Sequence, residues 1–384
     1  MDRVAFVGTG ADPDSPDREG FAMAYRHAAG YQRLDGCELV GCADIVRENA
    51  EAFAETYDID PEGVFEDYQT MLREVEPDVV SVCVPPGIHA DIVVGCAATG
   101  LPEAVHCEKP MATSWGDCRR MAEACEDADI QLTINHQRRL GPIFRKAKSL
   151  VEEGAIGELE RIECSAKNLF DDGTHLFDLS SFYTDDDPVE WILTGLDYRE
   201  ENRWFGAHNE NQAIAQWHYE NGVFGIMGTG ESNGAFGPRI TLSGMDGRIE
   251  VGASDTSPLR YRSSDTGGWR KVDVGENIWG NPRLSKTRKG LDLVARRVPG
   301  LHDDLFRPDH LSHAERAIAE IMRAYRTGSD SELRAEVALQ GTELIFAAYE
   351  SVRSRGRGDL PLEVDDNPLE SMVEEGMLPV SAKL

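Results

Sequence analysis

The order of elements in the first 136 residues constrains the fold more than any other feature. Apolar runs fall at Val4–Val7, Leu39–Ala43, the short Val64–Phe65, Asp78–Val84, Ala104–Cys107 and Ile130–Ile134. Between them the pattern predicts helices from about Gly20 and over Val46–Thr56, Asp67–Glu74, His89–Thr99 and Thr113–Asp127. Asp78–Val84 is an almost continuous apolar run, as expected for a strand covered on both faces. Strict alternation of strand and helix predicts a parallel, doubly wound sheet with right-handed crossovers.

A bridging helix over Pro142–Glu153 is predicted next, and after it the pattern changes. Apolar runs now come in pairs around Asn221-Gly222 and Asp246-Gly247, the strongest short hairpin signals. This predicts a second, largely antiparallel sheet. Residues 252–308 read as irregular and polar, with a basic cluster from Lys286 to Arg297 whose use as loop, partner contact or crossover arm stays open. Two helices, about His310–Arg326 and Ser331–Arg353, are expected to close the chain, with Gly328 as a stop and Ser331 as a cap. At 384 residues the length suits two domains, placed at 1–136 and 137–384.

The formal charge is −30, from 69 acidic and 39 basic residues, and only eight of the basic ones are lysines. Acid spread along the chain excludes nucleic acid and anionic membranes as natural partners, since both need basic patches. It suits a salt-adapted, halophilic cytoplasmic protein, because molar salt screens self-repulsion beyond about 3 Å. No apolar run reaches membrane-spanning length, and the immediate first strand leaves no room for a signal peptide. The eight cysteines contain no Cys-x-x-Cys pair and several sit in apolar strands, so neither a zinc site nor a disulfide framework is indicated.

Gly8-Thr9-Gly10 follows the first strand directly. Glycines at this turn permit a tight bend and close backbone approach to a pyrophosphate. The third glycine of such a fingerprint would fall at position 13, which is proline, so Gly20 is the candidate, after a seven-residue insertion. Asp44, at the end of the second strand, stands where a ribose-binding acid is expected and would repel a 2′-phosphate. The cofactor expected is therefore NAD, with NADP as the alternative because Arg47 is nearby.

The chain here resembles the Gfo/Idh/MocA oxidoreductases, the family of glucose–fructose oxidoreductase and inositol 2-dehydrogenase. The resemblance runs through Gly8-Thr9-Gly10, Asp44, Pro85-Pro86-Gly87-Ile88-His89-Ala90 and Glu108-Lys109-Pro110. It continues through Asn135-His136-Gln137-Arg138-Arg139, Gly154-Ala155-Ile156-Gly157 and Gly173-Thr174-His175. It implies an N-terminal Rossmann domain and a C-terminal α/β domain with an open, mostly antiparallel sheet, whose outer face would form a homodimer or homotetramer. The cofactor-binding set that follows is Gly8, Thr9, Gly10, Gly20, Asp44, Pro85, His89, Glu108 and Lys109. No metal is expected, and His89 is read as opening a helix near the nicotinamide.

Lys109 ends a buried strand, where doubly wound sheets bind cofactors, and an ammonium there stabilises alkoxide character or relays a proton. A helix starting near Gly173 would put Asp171, His175 and Asp178 on one side. The family's Asp-x-x-x-His maps onto Asp171 and His175, giving a catalytic set of Lys109, Asp171 and His175, with Asp178 structural. A carboxylate beside the histidine would fix its tautomer, although helix capping is the plain reading of Asp171 and Asp172. Trp204, His208, Asn209 and Glu210 read as pocket lining or exposed loop. His310 and His313 read as a structural pair on one helix face. The expected activity is hydride transfer between a secondary hydroxyl of a sugar or polyol and NAD(P). The alternatives are transient use of tightly held NAD for epimerisation, elimination or glycoside cleavage, and a catalytically silent dinucleotide sensor.

Overall fold

The computed structural model describes residues 1–13, 21–254, 256–282 and 310–378. Gly20 and the cluster Lys286 to Arg297 lie outside the described residues.

The first sheet is parallel and six-stranded: β1 (Asp2–Val7), β2 (Cys37–Ala43), β3 (Val64–Phe65), β4 (Val79–Val82), β5 (Ala104–Cys107) and β6 (Gln131–Ile134). Its order is β3-β2-β1-β4-β5-β6, the doubly wound arrangement with a switch point between β1 and β4. The crossovers are α1 (Met23–Tyr31), α2 (Arg47–Tyr57), α3 (Tyr68–Val75), α4 (His89–Thr99) and α5 (Trp115–Asp127). Alternate residues of β1 enter different cores: Val4 and Phe6 pack with α1 and α2, and Ala5 and Val7 pack on the opposite face. Both faces are covered, which is why these strands lack a polar side.

Then follow α6 (Pro142–Glu152), β7 (Leu159–Ala166), α7 (Thr174–Tyr183), β8 (Val189–Asp197) and the short hairpin β9 (Arg203–Trp204) and β10 (Ala207–His208). The strands β11 (Gln212–Tyr219), β12 (Phe224–Thr229), β13 (Ile240–Gly244), β14 (Gly247–Ser254), β15 (Ser257–Ser263) and β16 (Arg270–Val272) complete most of a second sheet. Both predicted hairpins form, β11–β12 and β13–β14. Every pairing in this sheet is antiparallel except β7 with β12. The segment read as irregular from 252 contains β15 and β16; its alternation is short and arginine-rich, which hid it.

The chain closes with α8 (His313–Thr327), α9 (Ala335–Ser354), β17 (Gly358–Asp359) and α10 (Pro368–Glu374). The second sheet is nine-stranded, in the order β16-β15-β14-β13-β7-β12-β11-β8-β17. Gly328 ends α8 in the left-handed conformation, with φ 62°. Ser331 accepts from Leu333 N rather than capping α9, whose first residues follow Arg334. The short α10 is a further element that its polar sequence concealed. His310 precedes α8 and meets Gly280 O, whereas His313 is on the helix and meets Glu276, so the two are satisfied separately.

Two closures bring the halves together. α8 packs on α1 through Ala317, Ile318 and Ile321, inside the core that holds Val4 and Phe6. α9 is buried along most of its length and packs on α7, β8 and α5, so one helix serves both sheets. The second sheet's outer face carries exposed Leu193, Ile214 and Phe224. No helix among the described residues is long and apolar enough to cross a membrane. All eight cysteines are free thiols, six of them buried as small apolar groups.

Candidate active site

The glycine turn leaves β1 at the switch point. Gly8 has φ 83°, and a Cβ there would lie 2.5 Å from Val84 Cγ1 and 2.9 Å from Val84 N. Only a residue without that carbon lets the turn pass the end of β4. Gly10 also has positive φ, and among the described residues nothing lies within 4 Å of where its Cβ would stand, so they leave the turn open on that side. Such an open, glycine-lined turn fits a pyrophosphate. Asp44 closes the base of the turn: its Oδ2 accepts from Gly10 N at 2.9 Å and from Thr9 Oγ1 at 3.2 Å. Its Oδ1 accepts from Val46 N at 2.9 Å. Arg47 is turned to Glu51 one helical turn on, at 2.8 Å.

The facing wall comes from the ends of β4 and β5. Pro85 precedes a short turn over Pro86–Ile88, which leads into α4 at His89. His89 is fully buried, with Nε2 against Val84 O at 2.8 Å and Nδ1 against Pro110 O and Met111 O at 3.0 and 3.2 Å. Burial lowers its pKa, partly offset by these carbonyls. The side chain ties two loops together, and its ring is spent on that task.

Glu108 and Lys109 point apart, as neighbours at a strand end should. The Glu108 Oε1 atom meets His27 Nε2 at 2.9 Å and accepts from Asn135 Nδ2 at 2.6 Å, and Oε2 accepts from Lys109 N at 3.2 Å. Burial would raise its pKa, but the His27 and Asn135 hydrogen bonds outweigh it and hold the carboxyl down to about 2. Expected as a cofactor contact, Glu108 has both oxygens engaged within the chain. Lys109, joined to Pro110 by a cis peptide bond, reaches across to the segment before α7. Its Nζ donates to Asp171 Oδ1 at 2.7 Å and to Asp171 O at 3.1 Å.

That segment is held by Asn168, whose Oδ1 accepts from the backbone of both Asp171 and Asp172 at 2.9 Å. Neither aspartate caps α7. Asp171 takes Lys109, and Asp172 takes Lys167 N and both Nη atoms of Arg239. Burial works against the Asp172 charge, yet Arg239 and Arg138 hold its pKa down to about 2. His175 is buried and makes no hydrogen bond among the described residues; its Nδ1 is an unpartnered polar atom. The expected carboxylate-oriented histidine is therefore corrected: cations surround it instead. Burial, then Arg138, Lys109, His136 and Arg239, drive its pKa well below the ordinary value and keep the imidazole neutral. Asp178 is fully buried against Arg139, 2.7 Å from its Nε, and its negative charge is favoured despite burial.

The structure thus pairs Lys109 with Asp171, leaves His175 within the electrostatic reach of Lys109, and puts Gly8, Thr9, Gly10 and Asp44 at the switch point. His208, Asn209 and Glu210 are buried, and Trp204 is exposed in the β9–β10 hairpin. Glu210 supports the site from below, accepting from Leu169 N at 2.7 Å, with burial lifting its pKa to about 7. Sequence reasoning missed Arg239 and Trp279. Nothing in the sequence announces them: Arg239 arrives through the pairing of β13 with β7, and Trp279 from a turn in the polar segment after β16.

Residues 3–136 match the family model GFO_IDH_MocA, described as an oxidoreductase family with an NAD-binding Rossmann fold. The chain is 25% identical over 241 residues to myo-inositol 2-dehydrogenase of Thermotoga maritima, covering 59% of this chain and 68% of that protein. It is also 25% identical over 241 residues to D-xylose 1-dehydrogenase [NADP(+)] of Haloarcula marismortui, covering 56% and 65%. Among solved structures, aldose–aldose oxidoreductase from Caulobacter crescentus, complexed with glycerol, superposes with a TM-score of 0.71. That pair shares 17% identity over 94% of this chain and 99% of the other, a likeness of fold.

Proposed function

We propose that this chain is an NAD-binding oxidoreductase of the Gfo/Idh/MocA kind that oxidises a secondary hydroxyl of a sugar or polyol, or runs the reverse reduction. The observation that carries the reading is the pairing of Lys109, just past the end of β5, with Asp171, four residues before the buried and unpartnered His175 Nδ1. When bound, the nicotinamide supplies the hydride acceptor. Gly8, Thr9 and Gly10 would hold its pyrophosphate and Asp44 its ribose. The residues of the chain handle the oxygen and its proton. His175, neutral and without a partner at Nδ1, is in the form that accepts the hydroxyl proton. Lys109 steadies the substrate oxygen as negative charge grows on it, and Asp171 fixes the direction of the ammonium. The two aldose- and inositol-acting relatives support a polyhydroxylated substrate.

A screen of sugars and polyols with NAD, followed by NADH absorbance, tests this. Absorbance should rise with at least one of them. Product formation without NADH accumulation would instead favour transient redox, and no product with any sugar would refute the proposal.

Cofactor choice follows from Asp44. Asp44→Ala is expected to lower kcat/KM for NAD by about 10–100-fold, the worth of a charged hydrogen-bonding group at about 1.5–3 kcal/mol. NADP should lose less, because the repulsion of its 2′-phosphate is removed with the carboxylate. Equal losses for both cofactors would remove Asp44 from the ribose site.

A further inference from the structure

Among the described residues the site holds one cation more than it has carboxylates. Among the described residues, three permanent cations gather around His175: Lys109, Arg138 and Arg239. They face two carboxylates. Asp171 is taken by Lys109 and Asp172 by both Nη atoms of Arg239. Arg138 shares Asp172 with Arg239 and is the more distant of the two, 3.7 Å from Asp172 Oδ1. Its side chain is only 12% exposed. A guanidinium so nearly enclosed is costly unless something pairs with it. Burial and the charge of Arg239 pull its pKa down to about 10, against the opposing pull of Asp172 and Asp171. Composition offers no excuse, because the chain as a whole carries −30.

The surroundings shape what would fit. The Arg138 guanidinium lies 5.1 Å from the centre of the Trp279 ring and that of Arg239 lies 5.9 Å from it. One indole, 54% exposed, therefore backs two planar forks. Arg138 follows β6 and stands beside Asp172, within the electrostatic reach of His175.

We propose that the substrate is a sugar acid and that Arg138, with Arg239 and Trp279 around it, takes its carboxylate. The surplus is a single positive charge, which one carboxylate neutralises; a phosphate would bring nearly two negative charges. A planar carboxylate also matches a guanidinium fork with two parallel hydrogen bonds. Held there, the acid would present a secondary hydroxyl to Lys109 and His175, so the inference rests on the dehydrogenase reading and narrows it.

The test uses the full chain with NADH bound and matched pairs of acid and neutral sugar: D-glucuronate with D-glucose, and D-gluconate with D-glucitol. Calorimetry measures binding, and NAD-dependent turnover is followed separately. At least one acid should bind at least about ten-fold tighter than its neutral partner. Arg138→Gln should lower that ratio by about 10–100-fold, as for a lost charge-assisted pair. Melting temperature and NADH affinity report whether the variant is folded, and Arg138→Lys, which keeps charge but not the fork, serves if glutamine is not tolerated. No acid preference in the parent chain, or a preference that survives both variants, overturns the subsite. Oxidation of neutral sugars without acid preference would sink the subsite and keep the dehydrogenase reading. Acid binding lost in the variants without any hydride transfer would do the reverse.

Discussion

Replacing Lys109 with alanine is expected to lower kcat by about 10²–10⁴-fold while NADH still binds, the loss usual for a positioned acid–base group. The size follows from where the ammonium stands. It ends a buried strand, is held by two contacts to Asp171, and its neighbour Glu108 is anchored inward. The substitution removes the charge and leaves the Rossmann core untouched, so the effect should appear in kcat rather than in cofactor affinity. His175→Ala should act on the same step but change the pH profile differently. With its pKa driven well below 6.5 by burial and neighbouring cations, His175 is already neutral at pH 6.5. On the proposed function, the parent chain should therefore keep its rate as pH falls through the ordinary histidine range, with an acid limb only at lower pH. Stopped-flow measurement of hydride transfer across pH separates the two variants. Near-parental turnover in both would remove Lys109 and His175 from the chemistry.

Much of this was legible in the chain because the signals are local. Alternating runs give the parallel sheet, and Asn221-Gly222 and Asp246-Gly247 give two hairpins in register. A lysine after a buried strand and a glycine turn before a helix carry their own geometry. What stayed hidden depends on contacts between distant segments. Arg138 and Arg139 are adjacent and read alike, yet the short turn at Gln137–Leu140 sends them apart. Arg139 goes to Asp178 and Asp186 in the interior, and Arg138 goes to the cleft beside Trp279. Asp171 and Asp172 divide in the same way, one to a lysine and the other to an arginine from β13's approach 67 residues later. No spacing rule distinguishes such neighbours, because their partners come from pairings such as β7 with β13 that only the folded sheet defines.

The loss of Glu108 should be felt in stability first and in activity second. Glu108→Ala is expected to cost about 3–5 kcal/mol of unfolding free energy, as for a buried pair broken on one side. The carboxylate is 6% exposed and joins three elements: the end of β5, α1 through His27, and the end of β6 through Asn135. Its removal leaves a buried imidazole and a buried amide without their shared acceptor. Glu108→Gln keeps the volume but brings an amide N–H toward two donors, so it should recover only part of the loss. The pH dependence carries the matching sign. A carboxyl held down to about 2 in the folded chain, against 4.5 for an ordinary glutamate, binds its proton later than the unfolded chain does. Its stabilisation is therefore complete above about pH 4.5 and disappears as pH falls toward 2. Urea unfolding at pH 7 and pH 3 reads both effects, and the gap between parent and Glu108→Ala should narrow at the lower pH. A gap of equal size at both would mean that packing, rather than charge, is what Glu108 contributes beneath Lys109.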